Sequence, residues 1–173
     1  MTLEIPTFRF ALKEGLDDQF LPTKAEPKST GYDVRASLKA SPDQPKYEEE
    51  TTWTFRPGQY FRIPLGFRAI PEEGWWFQLH PRSSSFAKKF MHCLIGTIDE
   101  FYADELIFAG QFIPDLNGMG QDLVIKHGDR IGQIIPYRRQ DMRVERISNQ
   151  QYQQFIDNRQ SERKGGFGSS GER

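Results

Sequence analysis

Apolar positions along this chain come in short runs, most of them closed by proline or glycine. Phe8-Arg9-Phe10-Ala11-Leu12 alternates between apolar and small or charged side chains, which is the period of a strand with one face buried. The same reading predicts strands at residues 51–55, 59–63, 67–70, 75–79, 106–109, 123–125 and 130–137. Arg56-Pro57-Gly58, Pro64-Leu65-Gly66 and Pro71-Glu72-Glu73-Gly74 break the runs, as does Lys126-His127-Gly128-Asp129. Thr30-Gly31-Tyr32-Asp33-Val34-Arg35-Ala36 leads into a further short strand. Residues 41–50, with two prolines and an acidic run, read as a loop, and so do residues 115–120. Strands this short, with turn signals between them, predict an all-β sandwich or barrel.

Only residues 148–157 predict a helix. Ser148 stands at an N-cap position and Gln151 at the matching capping-box position. Tyr152, Phe155 and Ile156 then share one helix face. From Arg159 the chain is polar and rich in glycine, the composition of a flexible tail. The expected organisation is one all-β domain over residues 1–158 and an arm over residues 159–173.

Composition narrows the classes. A chain of 173 residues suits one domain. A net charge of −1 gives no general grip on nucleic acid. Cys93 is the sole cysteine, so no intrachain disulfide forms, and with His80, His92 and His127 scattered a zinc site is not expected. The N-terminus lacks a signal pattern, and no apolar run approaches the ~18 residues of a membrane helix. The expectation is a soluble cytoplasmic protein, not secreted, with no membrane or nucleic-acid partner.

Candidate chemistry concentrates in residues 81–102. Arg82 offers a planar fork of donors to phosphate oxygens, and Ser83 and Ser84 add hydroxyls and N–H groups. Asp99 is a carboxylate suited to orienting a water, and Tyr102 adds an aromatic plane. The apolar run of residues 90–95 between them suggests the arms of a hairpin. Taken alone, Arg-Ser-Ser is a solvated turn and Asp after Gly-x-Ile a turn residue.

Five pieces in order change that reading. They are Thr30-Gly31-Tyr32-Asp33-Val34-Arg35-Ala36, then Pro81-Arg82-Ser83-Ser84, then Gly96-Thr97-Ile98-Asp99-Glu100-Phe101-Tyr102. Gly128-Asp129-Arg130-Ile131-Gly132-Gln133 and Gly165-Gly166-Phe167-Gly168-Ser169-Ser170-Gly171 complete them. Together they resemble the motifs of the homotrimeric dUTPases, which hydrolyse dUTP to dUMP and pyrophosphate. The resemblance implies a jelly-roll or β-barrel-type domain with at most one short helix and a flexible C-terminal tail. It implies that Asp99 activates the attacking water and that Tyr102 packs beneath the deoxyribose. It implies phosphate contacts from Arg82, Ser83, Ser84 and Gln133. It gives Arg163, Phe167, Gly168, Ser169 and Ser170 to an arm that closes over a neighbouring subunit's site. It implies Mg²⁺ on the triphosphate, with Asp33 reaching the metal through water.

Some positions depart from the family. Phe101 stands where an acidic residue is usual, Asp104 where a glycine is, and Cys93 near the place of a base-reading asparagine. Arg163 is one residue closer to Gly165 than in relatives. Alternatives stay open: a dCTP deaminase or another pyrimidine deoxynucleoside-triphosphate pyrophosphatase on the same fold, and a regulatory binding protein derived from a dUTPase. The deaminase needs a glutamate where this chain has Ala109.

Overall fold

Strands form wherever alternation lets one face go inward, and burial follows the pattern. The structure, a computed structural model, describes residues 5–41, 44–114 and 121–158. β1 (Arg9–Leu12) pairs with β7 (Phe67–Ile70). β2 (Tyr32–Arg35) forms one edge of a four-stranded sheet ordered β10-β8-β13-β2, with β8 at Trp75–Pro81, β10 at Gly96–Ile98 and β13 at Arg130–Arg138. β6 (Tyr60–Pro64), β11 (Ile107–Phe112) and β9 (Met91–Cys93) make a three-stranded sheet. β5 (Thr52–Phe55) pairs with β12 (Leu123–Lys126), and β3 (Lys39–Ser41) with β4 (Gln44–Tyr47). Every one of these pairings is antiparallel.

One core lies between the sheets. Phe61 and Ile63 point into it from β6, Phe67 and Ala69 from β7, Phe77 and Leu79 from β8, and Leu123 and Ile125 from β12. Each large side chain so buried contributes about 1.5–3 kcal/mol. Phe10 meets Phe67 edge-on at 5.4 Å, and Phe8 meets Phe77 at 5.9 Å. This is the expected all-β, jelly-roll-type architecture.

Three local expectations are corrected. Residues 41–50 do not form a plain loop, because Gln44–Tyr47 is a strand paired to Lys39–Ser41. Tyr47 anchors it by stacking on His127 at 5.6 Å. Residues 90–95 are not the two arms of one hairpin, because β9 pairs with β11 while β10 pairs with β8. Phe90, at φ 51°, makes the bend that enters β9, and Leu94 and Ile95 carry the chain from one sheet to the other. The serine run is not an open turn: Ser83–Ala87 is the short helix α1.

The unit containing these strands spans Met1–Arg139. The second unit, Gln140–Arg173, is described through residue 158 and contains α2 (Asn149–Asp157). Ser148 caps α2, its side chain accepting from the Gln151 N–H while the Gln151 side chain accepts from the Ser148 N–H. No helix among the described residues is long and apolar enough to cross a membrane.

Candidate active site

β2, β13 and β8 lie side by side, and their register aligns polar residues. Asp33 faces Gln133, and Gln133 faces His80. Pro81 ends β8, and Arg82 folds back so that its Nε donates to Asp33 Oδ1 at 3.0 Å. The other carboxylate oxygen accepts from Arg130 Nη1 at 3.3 Å. The Asp33 side chain is 7% exposed, against 30% for Arg82 and 46% for Arg130. A carboxylate this buried needs partners, and two guanidinium groups supply them. The cluster therefore carries a surplus positive charge on its exposed side. The Asp33 backbone is held as well: its N–H donates to the Thr23 carbonyl at 2.7 Å, and its carbonyl accepts from the Thr23 N–H at 3.2 Å.

A β-bulge brings Arg130 into the cluster. Gln133 faces Asp33 and Gly132 faces Val34, so a regular ladder would set Ile131 against Arg35. Arg130 takes that place instead. The extra residue moves Arg130 to the face that Gln133 shares with Asp33, and Ile131 goes into the core. Gln133 donates from Nε2 toward the Pro81 carbonyl at 3.4 Å. Gly31 lies against the Gln133 side chain, where any Cβ would collide with the amide.

The serines divide. Ser85 is buried and its hydroxyl donates to the Ile131 carbonyl at 2.8 Å, tying α1 to the bulge. Ser83 is exposed and Ser84 half-buried, so both remain within reach of a ligand.

Asp99 and Tyr102 lie elsewhere. Asp99 follows Ile98, which pairs with Phe77, four residues before Pro81 on β8. At ~3.3 Å per residue the Asp99 backbone is roughly 15 Å along the sheet from the arginine cluster. The Asp99 carboxylate is exposed, and its carbonyl accepts from the Tyr102 N–H at 3.1 Å, closing a tight turn. Tyr102 is 39% exposed and donates from its hydroxyl to the Glu105 carbonyl at 3.3 Å. It borders an open cleft of about 510 Å³ with Phe10, Arg68, Ile70 and Phe101. Arg139 donates to Glu100 at 2.7 Å and steadies this turn.

Cys93 is half-buried, its thiol directed to the Met91 carbonyl at 3.4 Å, and burial pushes its pKa up to about 12. It is a thiol at neutral pH, not a nucleophile. Arg163, Phe167, Gly168, Ser169 and Ser170 lie outside the described residues.

One chain thus gathers Asp33, Arg82, Ser83, Ser84 and Gln133 at one end of the sheet, and Asp99 with Tyr102 toward the other. Sequence reasoning passed over Arg130. A regular strand puts positions 130 and 133 on opposite faces, so only the bulge reveals that they cooperate. For a resident metal the donors do not fit. Both Asp33 oxygens already face cations, and the described residues contain no cluster of three potential His, Cys, Asp or Glu ligands.

Fold and site together define an antiparallel jelly-roll protein with two arginines paired to a buried aspartate and, apart from them, a solvent-facing carboxylate beside an aromatic ring. The dUTPase family model matches residues 17–171, and the chain belongs to the dUTPase family. A deoxyuridine 5'-triphosphate nucleotidohydrolase of Leptospira interrogans is 31% identical over 156 residues, covering 87% of this chain and 90% of the relative. Its counterpart in Maricaulis maris is 33% identical over 118 residues, covering 66% of this chain and 68% of the relative. Among solved structures, a mutant dUTPase from phage phi11 of S. aureus, which coordinates a structural Mg(II) ion, shares the fold. It aligns with a TM-score of 0.64 at 16% identity, covering 83% of this chain and 97% of that one.

Proposed function

We propose that the protein is a dUTP diphosphatase, converting dUTP and water to dUMP and pyrophosphate. Family membership over residues 17–171 carries this reading. Asp99 takes a proton from water as the water oxygen bonds to the α-phosphorus. The bond from that phosphorus to the bridging oxygen of the β-phosphate breaks, and its electron pair leaves with pyrophosphate. Arg82, Ser83, Ser84 and Gln133 hold the phosphate chain, and Tyr102 packs under the sugar. Magnesium enters as part of the substrate, Mg·dUTP, where it offsets the triphosphate charge.

The two halves of the site lie roughly 15 Å apart along one sheet, by strand rise. A complete site therefore takes Asp99 and Tyr102 from one copy and the arginine cluster from another, and we propose a homotrimer. The arm of residues 159–173 then serves a neighbouring copy's site. Arg163, Ser169 and Ser170 meet phosphate, Phe167 stacks on the base and Gly168 lets the backbone close in.

The test is pyrophosphate release with Mg²⁺ across a panel of nucleoside triphosphates, for the wild type and Asp99→Asn. The expected result is a preference for dUTP and a turnover loss of about 10²–10⁴-fold in the variant, the usual contribution of a general base. Ammonia from dCTP, or no turnover by the wild type, would sink the assignment. A variant that kept its rate would remove Asp99 from the role.

A further inference from the structure

The turn that carries Asp99 is held from inside by the residue next to it. Of its four residues, Asp99 is exposed, Phe101 is 87% exposed and Tyr102 39%, while the Glu100 side chain is only 10% exposed. Glu100 is therefore the buried anchor of the turn, and its Oε2 accepts from Arg139 Nη1 at 2.7 Å. Arg139 follows directly on β13, which is separated from β10 by β8. Trp75, the first residue of β8, faces Arg138, and the Arg139 N–H donates to the Gly74 carbonyl at 2.7 Å. With its backbone pinned there, Arg139 reaches across the start of β8 to the turn. A carboxylate nine-tenths buried does not stay in place once its cation is taken away, because burying an uncompensated charge is strongly unfavourable. For Glu100 the way out to water is a rotation of the turn backbone. That rotation carries the adjacent Asp99 with it, and strains the bond from the Tyr102 N–H to the Asp99 carbonyl at 3.1 Å.

We propose that Arg139 is a positioning residue for the hydrolysis: through Glu100 it fixes the turn that aims the Asp99 carboxylate at the attacking water. This rests on the reading of the protein as a dUTP diphosphatase with Asp99 as its general base. A general base works only within hydrogen-bond reach of the proton it takes, and a displacement on the order of 1 Å costs about 10²-fold. Packing of a ring under a sugar is less directional than proton transfer, so Tyr102 tolerates the same displacement better. Loss of the Arg139 contact therefore lowers kcat more than it raises KM. The two partners are not equivalent. The Arg139 side chain is 51% exposed and stays solvated when Glu100 is neutralised, whereas Glu100 is not solvated in place when Arg139 is removed. Arg139→Gln leaves a buried charge. Glu100→Gln removes that charge and keeps an oxygen that accepts from a donor, so the second change repairs the first.

The experiment uses the full chain and Arg139→Gln, Arg139→Lys, Glu100→Asp and the double variant Arg139→Gln with Glu100→Gln, each checked for a native near-ultraviolet spectrum. Steady-state kcat and KM are measured with Mg²⁺ and dUTP, and hydrogen exchange over residues 96–106 is followed by mass spectrometry without nucleotide. Arg139→Gln should lower kcat about 10–100-fold with KM within about threefold, and residues 96–106 should exchange faster. Arg139→Lys should recover part of kcat. The double variant should exceed Arg139→Gln in kcat and slow the exchange again, a repair that an arginine acting by direct contact with substrate would not show. A kcat for Arg139→Gln within about threefold of the wild type would overturn the proposal. So would a lowered kcat with unaltered exchange over residues 96–106, or a double variant no faster than Arg139→Gln. Should Arg139→Gln not fold, Glu100→Asp decides, since it keeps the charge pair but shortens the link by one methylene. Its kcat should then fall about tenfold in a native protein, and a wild-type kcat would overturn the proposal. If the wild type does not hydrolyse dUTP while Arg139→Gln loosens residues 96–106, the activity reading fails and the hold of Arg139 on the turn stands.

Discussion

Single side chains decide their chemistry through what surrounds them. His127 lies between Phe20 and Tyr47, with ring centroids at 4.8 and 5.6 Å, and its Nδ1 accepts the Leu38 N–H at 3.0 Å. Burial lowers its pKa below the ordinary 6.5, against weaker opposing pulls from Asp17 and Glu49. The fold therefore favours the neutral ring. Its contribution to stability is complete above 6.5 and declines as pH falls below 6.5 toward the lower folded value, since the unfolded chain then binds more protons. His127→Gln keeps an acceptor but does not titrate. Urea midpoints taken at about pH 7.5 and about pH 5.5 should fall more for the wild type than for this variant. Equal falls would show that His127 stays uncoupled from folding.

Elements were legible where the pattern was local. β7 alternates Phe67 and Ala69 inward with Arg68 and Ile70 outward, and α2 announces itself by Ser148 and Gln151. β4 was hidden because the stretch 41–50 around it, with two prolines and an acidic run, resembles a loop; its strand state depends on β3 and on the Tyr47–His127 stack. The bulge in β13 was equally hidden, since it exists only as a register with β2. Close packing guards that register. A Cβ on Gly132 would stand 2.9 Å from Phe108 Cε2 and 3.0 Å from the His80 carbonyl oxygen. Gly132→Ala should cost about 1–3 kcal/mol, the usual penalty of overpacking, seen as a lower Tm in calorimetry. An unchanged Tm would mean that β8 and β13 separate more freely than their pairing suggests.

At the scale of the whole molecule, exposed apolar residues and a divided site point to the same conclusion. Tyr60, Phe86, Leu94 and Phe101 are exposed on the chain as it stands alone. The proposed trimer makes a direct prediction. Asp99→Asn and Arg82→Ala should each be nearly inactive, yet co-refolded mixtures should regain activity. With sites shared between two copies and random assembly, about a quarter of the sites pair an intact Asp99 with an intact Arg82. Mixtures no more active than either variant alone would place both residues in one chain's site.

Much of this protein was settled by sequence alone, because alternation, capping and turn chemistry act over a few residues. The strand-rich class, the cap of α2 and the five ordered motifs, Gly31-Tyr32-Asp33 and Arg82-Ser83-Ser84 among them, needed no coordinates. What the tertiary structure decided depends on contacts between residues far apart in the chain. It set Asp33 between Arg82 and Arg130, residues 49 and 97 positions further along the chain. It sent β9 and β10 to different sheets, and it separated Asp99 from the Asp33–Arg82–Arg130 cluster. Those outcomes follow from register, and register is set by which strands meet in the core, a choice no short stretch of sequence encodes.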